Sequence, residues 1–209
     1  MRVITGTARG VPLKAPRGMD TRPTMDQVKE GIFSAIQFEV EGRTALDLFA
    51  GSGQLGIEAL SRGAAHCTFV DKGREPVSVI RENLKKTRLE EKAEIVQADY
   101  SSYLKTCRRQ FDLVLLDPPY AFGAEPVEEL LQNLAQQGLL APGAFALFEH
   151  AAADAGAHPV GFETVRKKRY GITSVDLLRW VGDDDGGGDS AGADVDNNDA
   201  TTFQEDAHE

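Results

Sequence analysis

The chain has 209 residues, 41% of them hydrophobic and 27% charged, with a formal net charge of −10, which suits one globular domain and an appendage. No apolar run approaches the roughly eighteen residues of a membrane span, the start at Met1–Gly6 lacks the apolar core of a signal peptide, and the two cysteines, Cys67 and Cys107, have no metal or redox spacing. The expectation is a reduced, cytoplasmic protein with no membrane and no metal.

Residues 2–18 hold two short β-prone pieces, Val3-Ile4-Thr5 and Val11-Pro12-Leu13, broken by Gly6, Gly10 and Gly18. They read as an N-terminal hairpin. The hairpin carries Arg2, Arg9, Lys14 and Arg17 and no acid before Asp20. A cationic, glycine-punctuated segment is the electrostatic footprint of a phosphate-binding surface, and a solvated face has the same composition. Thr24 is placed to cap a helix running to about Phe38, with Val28, Ile32, Phe33 and Ile36 on one face. Hairpin and helix together form an expected extension over residues 1–40.

From Arg43 the pattern alternates. Strands are expected at Thr44–Phe49, His66–Val70, Ala93–Gln97, Phe111–Leu116 and Ala144–Phe148. Helices are expected at Gln54–Arg62, Glu75–Thr87, Ser101–Arg108 and Glu125–Gln137. Phe162–Arg169 and Ile172–Val181, split by Tyr170-Gly171, read as a closing antiparallel pair. Such alternation requires right-handed crossovers, so the fold class is α/β with a mostly parallel central sheet over residues 41–182. The remainder, 183–209, holds ten of the 33 acids and no Lys or Arg, which leaves 23 acids against 23 bases in the body. Rich in Gly, Asp, Asn and Ala, it reads as a disordered acidic tail, with solubility as its simplest role.

Two stretches carry the chemistry. Phe111–Leu116 is nearly all apolar, as in a strand buried on both faces, and stops at Asp117-Pro118-Pro119-Tyr120. Neither proline has an N–H and each fixes its φ near about −65°, so the turn is stiff and its carbonyls are free of ladder duty. Open α/β sheets place ligands at the carboxyl ends of strands. A carboxylate, free carbonyls and an aromatic ring are the parts needed to hold a planar base by its amino group, although an ordinary strand-ending turn has the same residues.

The second stretch is Asp47-Leu48-Phe49-Ala50-Gly51-Ser52-Gly53-Gln54-Leu55-Gly56, which satisfies G-x-G-x-x-G. That is the dinucleotide fingerprint, so an NAD-binding oxidoreductase or a non-catalytic nucleoside-binding module has to be weighed. Asp47 separates the ligands. A carboxylate at the start of the loop would repel a pyrophosphate and suits a ligand with a cationic amino group or sulfonium. S-adenosylmethionine has both and no phosphate. Asp71 and Asp99 follow at the next two strand ends, where one suits ribose hydroxyls and the other an adenine amino group. Each has a plainer alternative as a cap or turn residue.

Four stretches, Arg22-Pro-Thr-x-Asp-x-Val-Lys-Glu-x-x-Phe33, Leu46-Asp-Leu-Phe-Ala-Gly-Ser-Gly-x-Leu-Gly-x-Glu-Ala-Leu-Ser-Arg-Gly-Ala64, Asp117-Pro-Pro-Tyr120 and Tyr170-Gly171, occur here in order. Together they resemble the RsmD family, class I S-adenosylmethionine-dependent methyltransferases that modify the exocyclic N2 of one guanine, guanine 966, in 16S rRNA of the 30S subunit. The resemblance runs from Arg2 to about Val181 and leaves the tail without a counterpart. It implies a Rossmann-like domain with S-adenosyl-L-methionine as cofactor, bound by Asp47, Phe49, Gly51, Ser52, Gly53, Asp71, Asp99 and Tyr100. It implies that Asp117 and the Pro118 carbonyl orient the amino group, with Pro119 stiffening the turn and Tyr120 stacking on the base. It also implies RNA contact by Arg2, Arg9, Lys14, Arg17 and Arg22, which Arg166, Lys167, Lys168 and Arg169 would extend unless that run is an ordinary solvated strand. The expected partner is 16S rRNA in an assembling or assembled 30S subunit, met by a monomer. Asp-Pro-Pro-Tyr is shared with enzymes that methylate DNA adenine or a protein side chain, which remain the alternative substrates. The basic hairpin favours RNA.

Overall fold

The computed structural model describes residues 1–17, 23–36 and 39–182. Arg22, the expected helix end at Phe38 and the acidic tail lie outside the described residues, as do the side chains of Thr24 and Tyr120.

Seven strands form one sheet: β1 (Thr44–Leu48), β2 (His66–Asp71), β3 (Ala93–Gln97), β4 (Phe111–Leu116), β5 (Leu140–Ala151), β6 (Phe162–Tyr170) and β7 (Thr173–Trp180). Five helices accompany them: α1 (Pro23–Ala35), α2 (Gln54–Ser61), α3 (Arg74–Thr87), α4 (Tyr100–Thr106) and α5 (Glu125–Gln136). The order across the sheet is β3-β2-β1-β4-β5-β7-β6. β1 to β5 run parallel, and β7 lies antiparallel between β5 and β6. This is the mostly parallel α/β architecture with an antiparallel final pair that the alternation predicts. Among the described residues, no helix is long and apolar enough to cross a membrane.

The chain winds outward from β1 to β3, then returns to place β4 on the other side of β1. The order therefore reverses between β1 and β4, and the crevice beyond their carboxyl ends is where such sheets bind ligands. Alternation along each strand sorts side chains to two faces. Ala45, Leu113, Leu115, Phe145 and Leu147 pack with α1, α2 and α3, while Leu46, Leu48, Val114, Leu116 and Phe148 pack with α4 and α5. The strands buried on both faces are the ones that read as nearly unbroken apolar runs. β5 is longer than its apolar stretch because it begins at Leu140, level with Phe111, and shifts register before Phe145.

The N-terminal hairpin is a strap with a single bridge, Arg2 to Pro12. Pro12 has no N–H to extend the ladder. The Val3 N–H donates to the Val11 carbonyl and the Leu13 N–H to that of Met1, at 3.0 and 3.1 Å. The Gly10 N–H donates to the Val3 carbonyl at 2.8 Å, and other strap groups bond to the domain beneath. Ile4 and Thr5 donate to the two oxygens of the Glu58 carboxylate, at 2.8 and 3.0 Å. Thr7 donates to the Ser61 carbonyl at 2.8 Å and Ala8 to the Ser61 hydroxyl at 3.0 Å. Asn83 of α3 accepts from the Lys14 amide and donates to the Lys14 carbonyl, at 2.8 and 2.9 Å. Val3, Ala8 and Leu13 are buried in the same core as α1 and α2.

Glu58 is itself fully buried, with Lys29 at 3.6 Å and Arg62 at 2.9 Å. Lys29, equally buried, also donates to the Arg2 carbonyl. One buried acid thus joins strap, α1 and α2. At Gly31 of α1 a Cβ would lie 1.8 Å from the Tyr170 hydroxyl oxygen, so the missing side chain lets α1 rest on the end of β6.

Candidate active site

β1 ends at Leu48, and Phe49 leaves it with φ of 62°. A bulky residue held in the left-handed region is strained, and strain of this kind gathers at ligand sites. The turn is pinned from both sides. Ala50 donates to the Val70 carbonyl at 3.1 Å, and Gly51 to the Asp71 carboxylate at 2.9 Å. Gly51 and Gly53 have φ of 55° and 76°, which only glycine adopts without strain. The Asn83 amide donates to the Ser52 carbonyl at 2.9 Å, and the Ser52 hydroxyl lies 3.5 Å from the Met1 sulfur. The root of the strap therefore borders the glycine loop. Gly56 has a different duty. A Cβ there would come within 2.4 Å of the Phe69 ring and 2.6 Å of the Cys67 sulfur, so its bareness lets α2 approach β2.

Asp47 is buried, and its carboxylate accepts from the Gly56 N–H at 2.9 Å in the first turn of α2. Burial pushes its carboxyl well above the usual carboxylate range. The Gly56 bond partly offsets this, and the negative charges of Asp117 and Asp71 add to it. Asp71 fixes the loop as well as facing the crevice: its two oxygens accept from Gly51 and Gly73, the latter at 2.8 Å. Each oxygen keeps a second lone pair able to accept from a ligand. Asp99 caps α4, accepting from the Ser101 amide at 3.0 Å and its hydroxyl at 2.7 Å. Those bonds hold its carboxyl below the ordinary range, and it remains exposed. The plainer reading as a cap is realised without using up its acceptor capacity.

Three rings close one side of the crevice. Phe49, Tyr100 and Phe122 lie with centroids 5.1, 5.0 and 5.6 Å apart, within the range of favourable edge and tilted contacts. Phe122 ends a 3-10 turn, Tyr120–Phe122, whose last N–H donates to the Pro119 carbonyl at 2.7 Å. The trio ties the glycine loop and the start of α4 to the segment after Asp117. Sequence reasoning missed Phe122. Its only signal was an aromatic residue two places beyond Tyr120, just before Gly123.

Asp117 follows β4 directly. Leu115 is level with Asp47 and Leu116 with Phe148, so Asp117 and Glu149 come next on the face that carries Asp47. Burial raises the Asp117 carboxyl to about 6. Glu149 is raised to about 8, first by burial and then by the charge of Asp117. Among the described residues no Lys or Arg is paired with Asp47, Asp117 or Glu149. A crevice of unneutralised acids over a glycine turn fits a cationic ligand without phosphate, because such a ligand supplies the missing positive charge.

The raised acids make a stability prediction. A carboxyl raised in the folded state favours folding below its unfolded value near about 4.3, and that advantage fades as pH climbs to its folded value. The wild type should therefore lose stability between about pH 4 and pH 8. Glu149→Gln should not pay this penalty, so its thermal midpoint should exceed the wild type's by a few degrees at pH 8, and the gap should shrink towards pH 5. Midpoints measured across that range check it; a variant less stable at pH 8 would show that Glu149 is a structural anchor.

Of the expected RNA residues, Arg2, Arg9, Lys14 and Arg17 are exposed along the strap. Lys14 also pairs with Glu82 at 2.7 Å. Lys167 turns instead to the buried Asp176, at 3.8 Å, while Arg166, Lys168 and Tyr170 line a small pocket against Gly31 and Ile32 of α1. Both thiols, Cys67 and Cys107, are buried and unpaired.

Known proteins share the sequence and the fold. The family model described as Conserved hypothetical protein 95 matches residues 1–179. Ribosomal RNA small subunit methyltransferase D of Haemophilus influenzae is 33% identical over 182 residues, covering 86% of this chain and 93% of that protein. The solved chain of YhhF from Escherichia coli superposes with a TM-score of 0.75 at 31% identity, covering 87% of this chain and 98% of that one. An RNA methyltransferase from Salinibacter ruber, solved with S-adenosyl-L-homocysteine, shares the fold at a TM-score of 0.56 and 17% identity, over 78% of this chain and 94% of that one.

Proposed function

We propose that this chain, which belongs to the Conserved hypothetical protein 95 family of small-subunit ribosomal RNA methyltransferases, methylates the exocyclic N2 of a guanine in 16S rRNA, at guanine 966 by its family resemblance. The observation that carries the reading is the position of Asp117-Pro118-Pro119-Tyr120. It begins at the carboxyl end of β4, across the sheet's reversal point from the Asp47–Gly53 turn.

S-adenosylmethionine, when bound, supplies a methyl carbon activated by its sulfonium, and transfer leaves the S–C electron pair on sulfur. Asp47 and the Gly51–Gly53 backbone hold its cationic amino-acid end, with Asp71 on the ribose, Asp99 on the adenine amino group, and Phe49 and Tyr100 against the ring. Asp117 and the Pro118 carbonyl accept the two amino hydrogens of guanine. That turns the nitrogen lone pair, otherwise delocalised into the ring, towards the methyl carbon. The gain is chiefly orientation. As the N–C bond forms the nitrogen becomes acidic, and its proton passes to the Asp117 carboxylate and on to water. Tyr120 stacks on the extruded base. The strap cations hold RNA phosphate, and the target sits in an assembling or assembled 30S subunit.

The test is transfer of a labelled methyl group to naked 16S rRNA and to 30S subunits, followed by nucleoside digestion. N2-methylguanosine is expected. N6-methyladenine in DNA, or label in protein, would overturn the substrate assignment. In titrations S-adenosylhomocysteine should bind and NAD should not; the reverse would restore the oxidoreductase reading.

A further inference from the structure

Glu149 has no part in the chemistry above, yet it stands beside Asp117. The parallel β4–β5 register puts Leu116 level with Phe148, so the next residues are neighbours at the roughly 4.8 Å strand spacing. On its other side Glu149 is level with Val175 of β7, which offers no polar side chain. Among the described residues no hydrogen bond to its carboxyl is seen, and the charge of Asp117 acts on it. Glu149 is half-buried, so its carboxyl is within reach of a ligand in the crevice. Two acceptors side by side, at the place where a base is held by its amino group, match a ligand with two adjacent donors. The guanine edge has that pair, N1–H beside the 2-amino group.

Resting on the reading of Asp117 as the group that orients N2, we infer that Glu149 determines base specificity by accepting the N1–H of the target guanine. Adenine has a bare N1 next to its amino group and would set lone pair against lone pair there. The 2-aminopurine base has the amino group of guanine and the bare N1 of adenine, so it isolates this one contact.

The experiment compares kcat/KM on 16S rRNA carrying guanine or 2-aminopurine at the target, at pH 8.5, above the raised value of the acid. The wild type should prefer guanine by on the order of 100-fold, the loss expected when a charged acceptor faces another acceptor. Glu149→Gln, whose amide can donate to a bare N1, should gain on 2-aminopurine and compress that preference at least about tenfold. Glu149→Ala should lose activity on guanine with no gain on the analogue. S-adenosylhomocysteine affinity should stay within about twofold in both variants. If the wild type makes N2-methylguanosine and Glu149→Gln keeps the wild-type ratio, this inference fails alone. If Glu149→Gln loses S-adenosylhomocysteine binding, the acid belongs to the cofactor and the inference also fails. If the wild type makes no N2-methylguanosine, the functional reading fails and takes this inference with it.

Discussion

Replacing Asp117 with alanine is expected to lower methyl transfer by at least about a thousandfold while leaving S-adenosylhomocysteine affinity within a few-fold. The magnitude follows from the role. One preorganised polar group at a reacting centre is typically worth about a hundred- to a thousandfold, and here the same group also sets the lone-pair direction. The separation of effects follows from the structure. Asp117 makes no hydrogen bond that shapes the turn among the described residues, and the two prolines hold the backbone without it. Removing this carboxylate also relieves the raised acids around it. Asp117→Asn, which keeps one carbonyl acceptor, should fall between wild type and alanine. Isothermal titration and single-turnover transfer on the same preparations decide the matter; parallel loss of binding, folding and activity would sink the catalytic assignment. The pH profile adds a second signature. With its carboxyl near 6, Asp117 accepts hydrogens above that pH and is protonated below it. Wild-type kcat/KM should therefore fall towards tenfold per unit on the acid side of about pH 6, and Asp117→Asn should lose that limb.

The largest effect on stability is expected at Glu58. Its carboxylate takes two strap amides and two cations while fully buried. Breaking a buried charge network by removing one partner destabilises by about 3–5 kcal/mol, because the remaining charges are left without compensation. Glu58→Ala should lower the unfolding free energy by that order, and it leaves Ile4 and Thr5 with unsatisfied amides as well. Glu58→Gln, which can still accept from an amide, should cost less. Denaturant unfolding measures the difference, and limited proteolysis should cut the variant within Gly6–Gly10 first. An unchanged unfolding midpoint in Glu58→Ala would mean that packing of Val3, Ala8 and Leu13 alone holds the strap.

Glu58 also shows what the sequence reveals and what it conceals. β4 is legible to the residue because its apolar run is bounded by turn signals, and β3 follows from the strand–helix alternation. Asp47, Asp71, Asp99 and Asp117 were legible because strand ends in alternating folds are predictable places. Other residues in the same motif stretches, namely Lys29, Glu58 and Ser61, carry no local sign of their work. Their strap partners lie 27 to 56 residues away in the chain. A lone acid inside the apolar helix Leu55–Leu60 is a hint of a buried charge, but not of which amides it holds. Phe122 and Glu149 were hidden for the same reason. The first depends on the turn that brings it back to Phe49, and the second on a strand register that no periodicity reveals.

The cationic run Arg166–Arg169 has a further consequence, because β6 is the last strand of the sheet. An outermost strand has one row of amides and carbonyls without a neighbour, and a flat apolar strand so placed recruits strands from other molecules. β6 discourages this twice. Its pairing with β7 slips at Val165, which bends the strand, and the four residues that follow are all charged. Those charges thus keep the sheet seven strands wide, so neutralising them to probe RNA binding would also make the protein prone to aggregate.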